Sequence, residues 1–257
     1  MNERARTTLF LISILGFAAI SAWAVHDLPP FGYYRGPYGD LLNQVAVYER
    51  HATDVVNAVT YDYRGFDTLG EEFILFASVT GVLLLLRKTG SEQEREHAEK
   101  TRRAEQDKPR LSETVRVMTL GMVGMMVIFG LYISLHGQLT PGGGFQGGVI
   151  LASAPLLVYL AGNLEAFKRI TTSPLLKVAE AIGAGGYAVV GLIAFVSGAA
   201  FLTNVIPLYQ TGSVFSAGTI AVISALVGLE VAGGFVLLMH TFLREVLEDQ
   251  QEKDERK

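Results

Sequence analysis

The chain has no cysteine, a single tryptophan and only five histidines in 257 residues. Without cysteine it forms no disulfide, no thiolate metal site and no cysteine-ligated iron–sulfur cluster. No two histidines stand at a metal-ligand spacing, so neither a zinc site nor any other bound cofactor is expected. Charge is also scarce, at 18% of residues, and it is gathered into blocks that leave long apolar runs between them. That segregation argues against an ordinary soluble domain. The net charge of −4 gives no reason to expect a nucleic-acid partner.

What is present is apolar sequence in stretches long enough to cross a bilayer. Six are drawn, at Thr7–Val25, Leu69–Leu86, Val115–Leu135, Phe145–Ala161, Val178–Leu202 and Thr219–Leu243, the fourth being the shortest. The expected fold is therefore an all-α membrane protein of about six transmembrane helices. Lys and Arg set its orientation, since cytoplasmic segments carry the excess. Eighteen of the 21 lie in the terminal segments, between the second and third stretches, or between the fourth and fifth. Only Arg35, Arg50 and Arg64 fall on the other side. Both termini are expected to be cytoplasmic, in a multi-pass protein of a bacterial or archaeal cell membrane, with His26–Thr68 external. Two arginines, an apolar run and Ala22-Trp23-Ala24 also satisfy a cleavable signal peptide. A retained first span is the reading taken here, with cleavage as its alternative.

Charge runs divide the chain. Residues 1–88 form a two-helix module, 89–112 a charged cytoplasmic linker, 113–244 a four-helix module and 245–257 a charged cytoplasmic tail. The linker, GSEQEREHAEKTRRAEQDKPR over its centre, has no apolar face to bury. Between the third and fourth stretches lies LTPGGGFQGGVIL, Leu139 to Leu151. Its Gly142, Gly144 and Gly147 satisfy the dinucleotide fingerprint as a string, but that motif needs a preceding strand and a βαβ unit, and here an apolar helix precedes it. The turn is read as geometric instead. Pro141, Gly142, Gly143, Gly144, Phe145, Gly147 and Gly148 permit a tight hairpin or a partly unwound helix start at which neighbouring subunits dock.

Acids inside apolar stretches are the candidate functional residues, because each needs a partner or a water-filled cavity. Glu230 lies near the middle of the sixth stretch, with Gly233 and Gly234 on its face. Small residues there let another backbone approach, so Glu230 is expected to face protein, as an ion relay or as a structural hydrogen-bond partner. Glu180 has Lys177 three residues before it, and a local ion pair is the simplest account of both. Glu71 and Glu72 open the second stretch. Thr68 followed by Glu71 fits a capping box, which competes with an ion-handling role for Glu71. His136, beside the glycine turn, is placed to exchange protons with water, although a lone histidine is more often only packed.

Three long segments carry a resemblance. DVVNAVTYDYRGFDTLGEE, Asp54 to Glu72, closely resembles a segment near the C-terminus of the large subunit of Mrp-type multisubunit cation/proton antiporters, which recurs as a small subunit in membrane-bound hydrogenases. HGQLTPGGGFQGGVILA, His136 to Ala152, and SVFSAGTIAVISALVGLEVAGGFVLL, Ser213 to Leu238, resemble the B-type subunit of the same antiporters. Fusion of the two modules departs from the usual B-type subunit. The resemblance implies a membrane subunit working beside large proton-channel subunits and other antiporter-complex subunits within the lipid bilayer. Na+ and H+ are the implied transported ions, and the chain itself is not implied to be an enzyme. Two further classes stay open, the ion-translocating part of a membrane-bound hydrogenase or related complex I-like redox complex, and a structural membrane scaffold.

Overall fold

A computed structural model describes residues 3–26, 28, 32, 36–86, 112–162, 164–171 and 174–255. The described residues are helical, without strands. In chain order the elements are α1 (Glu3–His26), α2 (Pro37–Arg50), α3 (Val55–Ala58), a π-helix (Val59–Tyr63), α4 (Gly65–Leu85), α5 (Glu113–Leu135), α6 (Gly144–Leu160), α7 (Leu164–Thr171), α8 (Pro174–Val196) and α9 (Thr219–Glu255). Five helices are long and apolar enough to cross a membrane, Thr7–His26, Gly65–Leu85, Glu113–Leu135, Pro174–Val196 and Thr219–Leu243. Gly144–Leu160 is the shorter apolar sixth. Its 17 residues rise about 26 Å, close to the thickness of a hydrocarbon core. The protein is a multi-pass membrane protein, as the spacing of apolar runs predicts.

The fifth and sixth spans differ most from expectation. The fifth span begins at Pro174 and stops at Val196, where Gly198 turns the chain with φ +86°, so Ala199–Leu202 belong to a loop. The sixth continues as helix beyond Leu243 to Glu255. The charged linker expected over 89–112 lies outside the described residues except for Ser112.

Met1–Leu41 is one compact unit and Leu42–Lys257 another. In the first, α1 carries exposed apolar side chains along its length, Phe10, Leu15, Phe17 and Trp23 among them. In the second, α9 is the central helix, packing on α8, α6, α4 and α5, while α5 pairs with α6. Within this unit α4 packs directly against both α8 and α9. A core of Tyr61, Leu69, Tyr187, Leu202, Ile220, Ile223, Val227 and Val231 fills that junction.

Glycine explains how closely these helices approach. A Cβ at Gly148 would lie 2.7 Å from that of Val231 and 2.8 Å from the Gly228 carbonyl on α9. On α5, a Cβ at Gly130 would meet Leu151 and the Gly147 carbonyl of α6. The backbones of α5, α6 and α9 therefore touch, which larger residues forbid. Gly142 and Gly143, at φ +140° and +134°, take backbone conformations that other residues rarely adopt.

The turn before α6 is anchored within its own chain. Asn57 donates from Nδ2 to the Gly142 carbonyl at 2.9 Å and to Asp54 Oδ2 at 2.7 Å. Thr53 donates to the Leu139 carbonyl at 2.6 Å, and the Asp54 amide to that of Gln138 at 3.2 Å. The segment around α3 thus covers part of the turn, while Pro141, Phe145 and Gln146 remain exposed.

Candidate functional site

Three acids from three apolar helices converge beneath this turn. Glu72 on α4, Glu180 on α8 and Glu230 on α9 are 3%, 6% and 1% exposed. The carboxyl groups of Glu72 and Glu230 meet closely enough to share a proton, and apart from that contact neither oxygen of Glu230, nor Oε2 of Glu72, nor Oε1 of Glu180 has a hydrogen-bond partner. Glu72 and Glu180 both stand close enough for their charge to act on Glu230, Glu72 the more strongly. Glu230 is eleven residues into α9, about 17 Å along it and near the middle of a hydrocarbon core.

Close helix contacts hold the acids together. A Cβ at Gly183 on α8 would lie 2.5 Å from the Cβ of Glu230, and one at Gly233 would lie 3.0 Å from the Leu176 carbonyl and 3.2 Å from the Glu180 amide nitrogen. The antiparallel α8 and α9 are therefore in backbone contact on either side of the carboxyl groups. Gly234 faces Val79 of α4 and, at 3.5 Å from the site of a Cβ, Glu180 Oε1. Glu180 thus sits about one turn further along α9 than Glu230, roughly 5 Å. The glycine face beside Glu230 does admit a neighbouring backbone, as its sequence suggests. The neighbours are α8 and α4 of the same chain.

On the other side Glu72 opens to a cavity of about 300 Å³ lined by Asn57, Tyr61, Thr68, Glu71, Gln146 and Gly142, among others. Tyr61 forms its inner wall. Its hydroxyl accepts from the Gly144 amide at 3.2 Å, and burial, reinforced by the nearby Glu72 charge, pushes its pKa up to about 12. Tyr61 therefore keeps its proton throughout the physiological range. Tyr187, fully buried, donates from its hydroxyl to the Gly65 carbonyl at 2.8 Å and ties α8 to the start of α4. The geometry is a cavity, then Glu72, Glu230 and Glu180 in succession, in a wall of low polarity. Such an arrangement can pass a proton between carboxyl groups, because a carboxyl without fixed partners is free to exchange one.

Several sequence expectations change. Thr68 does not cap α4, which begins at Gly65 because the π-helix leads into it with only Arg64 between. The Thr68 hydroxyl instead donates to the Thr60 carbonyl at 2.8 Å, leaving Glu71 exposed at the cavity. Lys177 does not pair with Glu180 among the described residues. Its side chain is exposed, whereas Glu180 turns inward to α9. His136 stacks on Tyr132 with ring centroids 4.4 Å apart and stands outside the carboxyl cluster. Among the described residues no group of three or more His, Cys, Asp or Glu is placed to hold a metal ion. Sequence reasoning overlooked Tyr61, Tyr187, Asn57 and Gln146; a lone tyrosine after the glycine pair in IGAGGYAVV was the one signal available for Tyr187.

A second cavity, of about 490 Å³, lies between the π-helix and the loop after α8. Asp62 there accepts from Arg50 Nε at 2.5 Å, and burial pushes its carboxyl above the ordinary range against the opposing pull of Arg50.

Comparison with known proteins follows the same lines. Residues 114–237 match a family model described as a domain related to the MnhB subunit of Na+/H+ antiporter. A probable K(+)/H(+) antiporter A/B-type subunit of Rhizobium meliloti is 30% identical over 159 residues, 54% of this chain and 16% of that protein. The chain thus spans about a sixth of that relative's length. Among solved structures, a chain of the membrane-bound sulfane sulfur reductase, an archaeal respiratory membrane complex, is 30% identical and superposes with a TM-score of 0.64 over 93% of this chain and 98% of that one. A chain of the Mrp complex from Dietzia sp. DQ12-45-1b has the same fold, with a TM-score of 0.64 and 22% identity over 94% of this chain and 26% of that one.

Proposed function

We propose that this chain, whose residues 114–237 match a domain related to the MnhB subunit of Na+/H+ antiporter, is a membrane subunit of a multisubunit monovalent cation/proton antiporter in which Glu72, Glu230 and Glu180 relay protons. The observation that carries the reading is the convergence of these three buried acids from three spans, with the carboxyl groups of Glu72 and Glu230 close enough to share a proton. The relay joins the cavity at Glu72 to the interior of the complex, and large proton-channel subunits complete the path. The basic bias of the sequence supports cytoplasmic termini and a cavity facing outward. The chain supplies no reaction chemistry of its own.

A second reading has one specific observation in its favour, the match over nearly the whole length of a chain from a respiratory complex. In that case the same relay serves a redox-driven ion pump, and the subunit content of the purified native complex separates the two.

Glu230→Gln preserves shape and hydrogen-bonding capacity but removes the exchangeable proton. The assembled complex in everted vesicles is expected to lose cation/proton exchange in this variant and to retain part of it in Glu230→Asp. Exchange at the wild-type rate across the pH range in Glu230→Gln, with assembly verified, would make Glu230 structural.

A further inference from the structure

We infer that the cavity beside Glu72 is a binding site for one monovalent cation, which takes the place of the Glu72 proton. The inference rests on Glu72 being the relay's outermost member.

Part of the lining, between the apolar side chains of Val56 and Phe145, consists of oxygen acceptors. Thr68 spends its hydroxyl proton on the Thr60 carbonyl, which leaves its lone pairs available. Both hydrogens of Asn57 Nδ2 go to acceptors, Asp54 Oδ2 and the Gly142 carbonyl, and this fixes the amide with Oδ1 against Gly137 and Gly143 under the turn. Gln146 and the exposed Glu71 add further oxygens. Among the described residues no Lys or Arg lines this cavity, whereas Arg50 and Arg64 line the larger one. The second, independent observation is Glu72 itself, a carboxyl 3% exposed on the cavity wall that meets the acid Glu230 and, among the described residues, no cationic side chain. Oxygen donors of this kind select a hard cation.

Charge sets the valence. A single buried carboxylate is costly unless neutralised, and either one proton or one singly charged cation neutralises it. A divalent ion would need the Glu71 carboxylate as well, and that group is exposed rather than buried beside Glu72. The exchange balances as Glu72–COOH plus a monovalent cation giving the Glu72 carboxylate–cation pair plus one proton. The released proton passes to Glu230. Cation and proton therefore compete for one group, which couples their movements in opposite directions.

The test is carbodiimide modification of Glu72 in the purified whole complex, read by peptide mass spectrometry in choline, sodium, potassium or magnesium chloride at matched ionic strength. Apolar carbodiimides react with protonated carboxyl groups. Sodium or potassium, present at about ten times its dissociation constant, is expected to slow labelling of Glu72 about tenfold relative to choline. Glu71→Gln and Gln146→Leu should raise the concentration needed for protection, and Glu230→Gln should leave it in place. Equal labelling in sodium, potassium and choline, or protection by magnesium alone, overturns the inference. The wild-type complex decides this by itself, so a variant that fails to assemble does not remove the test. Unprotected Glu72 would remove the cation site alone, whereas wild-type exchange by Glu230→Gln would remove the relay.

Discussion

Glu71 and Glu72 are adjacent in sequence and opposite in surroundings. Successive residues on a helix point about 100° apart, so one carboxyl stays exposed at the cavity while the other enters the core. Pattern alone marks the pair as candidates and cannot decide which of them is buried, because the helix has apolar surface on more than one side. Glycines are the other residues whose roles depend on position. In Gly148→Ala the added methyl would strike Val231 and the Gly228 carbonyl, and overpacking of this kind costs about 1–3 kcal/mol. Gly121, also within an apolar helix, has nothing near its missing Cβ. Thermal unfolding of the assembled complex should therefore fall clearly for Gly148→Ala and stay near wild type for Gly121→Ala. Equal behaviour of the two would contradict the close packing of α6 on α9. The run of glycines in PGGGFQGG was legible as a place of close approach; that its partners are Asn57, Gly228 and Val231 was not, since nothing local in the sequence names a partner.

At the scale of elements, the π-helix Val59–Tyr63 sets the aim of the site. A π-turn holds one residue more than an α-turn, and such insertions recur at functional sites because they redirect side chains. Here the extra residue lets Tyr61 reach the Gly144 amide while Thr60 offers its carbonyl to Thr68. Deleting Thr60 would restore a regular helix and turn the preceding residues by about 100° relative to α4. The deletion is expected to abolish cation/proton exchange while native gels still show assembly, because α5, α6, α8 and α9 keep their mutual contacts. Wild-type exchange from the deletion variant would show that the aim of Tyr61 is irrelevant. The six apolar stretches were readable because span length is a local property. The π-helix was not, and the expected capping box failed for the same reason: helical hydrogen bonding continued from α3 almost without a break, so α4 had no free start for Thr68 to cap.

Across the whole molecule, the account depends on bringing residues 72, 180 and 230 to one place. Each acid could be recognised singly as an unusual occupant of an apolar helix. Their meeting could not, because it follows from which spans become neighbours, and only Gly183 and Gly233, each spaced to let a backbone approach, hinted at it. Lys177 offered Glu180 a partner close at hand, yet the inward turn of Glu180 toward α9 overrode that local pairing. Groups that pass a proton in series have a distinctive energetic signature. Once one link is removed, removing a second costs little more, so their effects on rate are far from additive. The most direct measurement is a double-mutant cycle of cation-coupled proton movement in proteoliposomes containing the whole complex, with Glu72→Gln, Glu230→Gln and both together. A series relay predicts that each single variant and the double variant fall to the same low rate. Two independent effects that multiply in the double variant, or single variants that move protons like wild type, would contradict it.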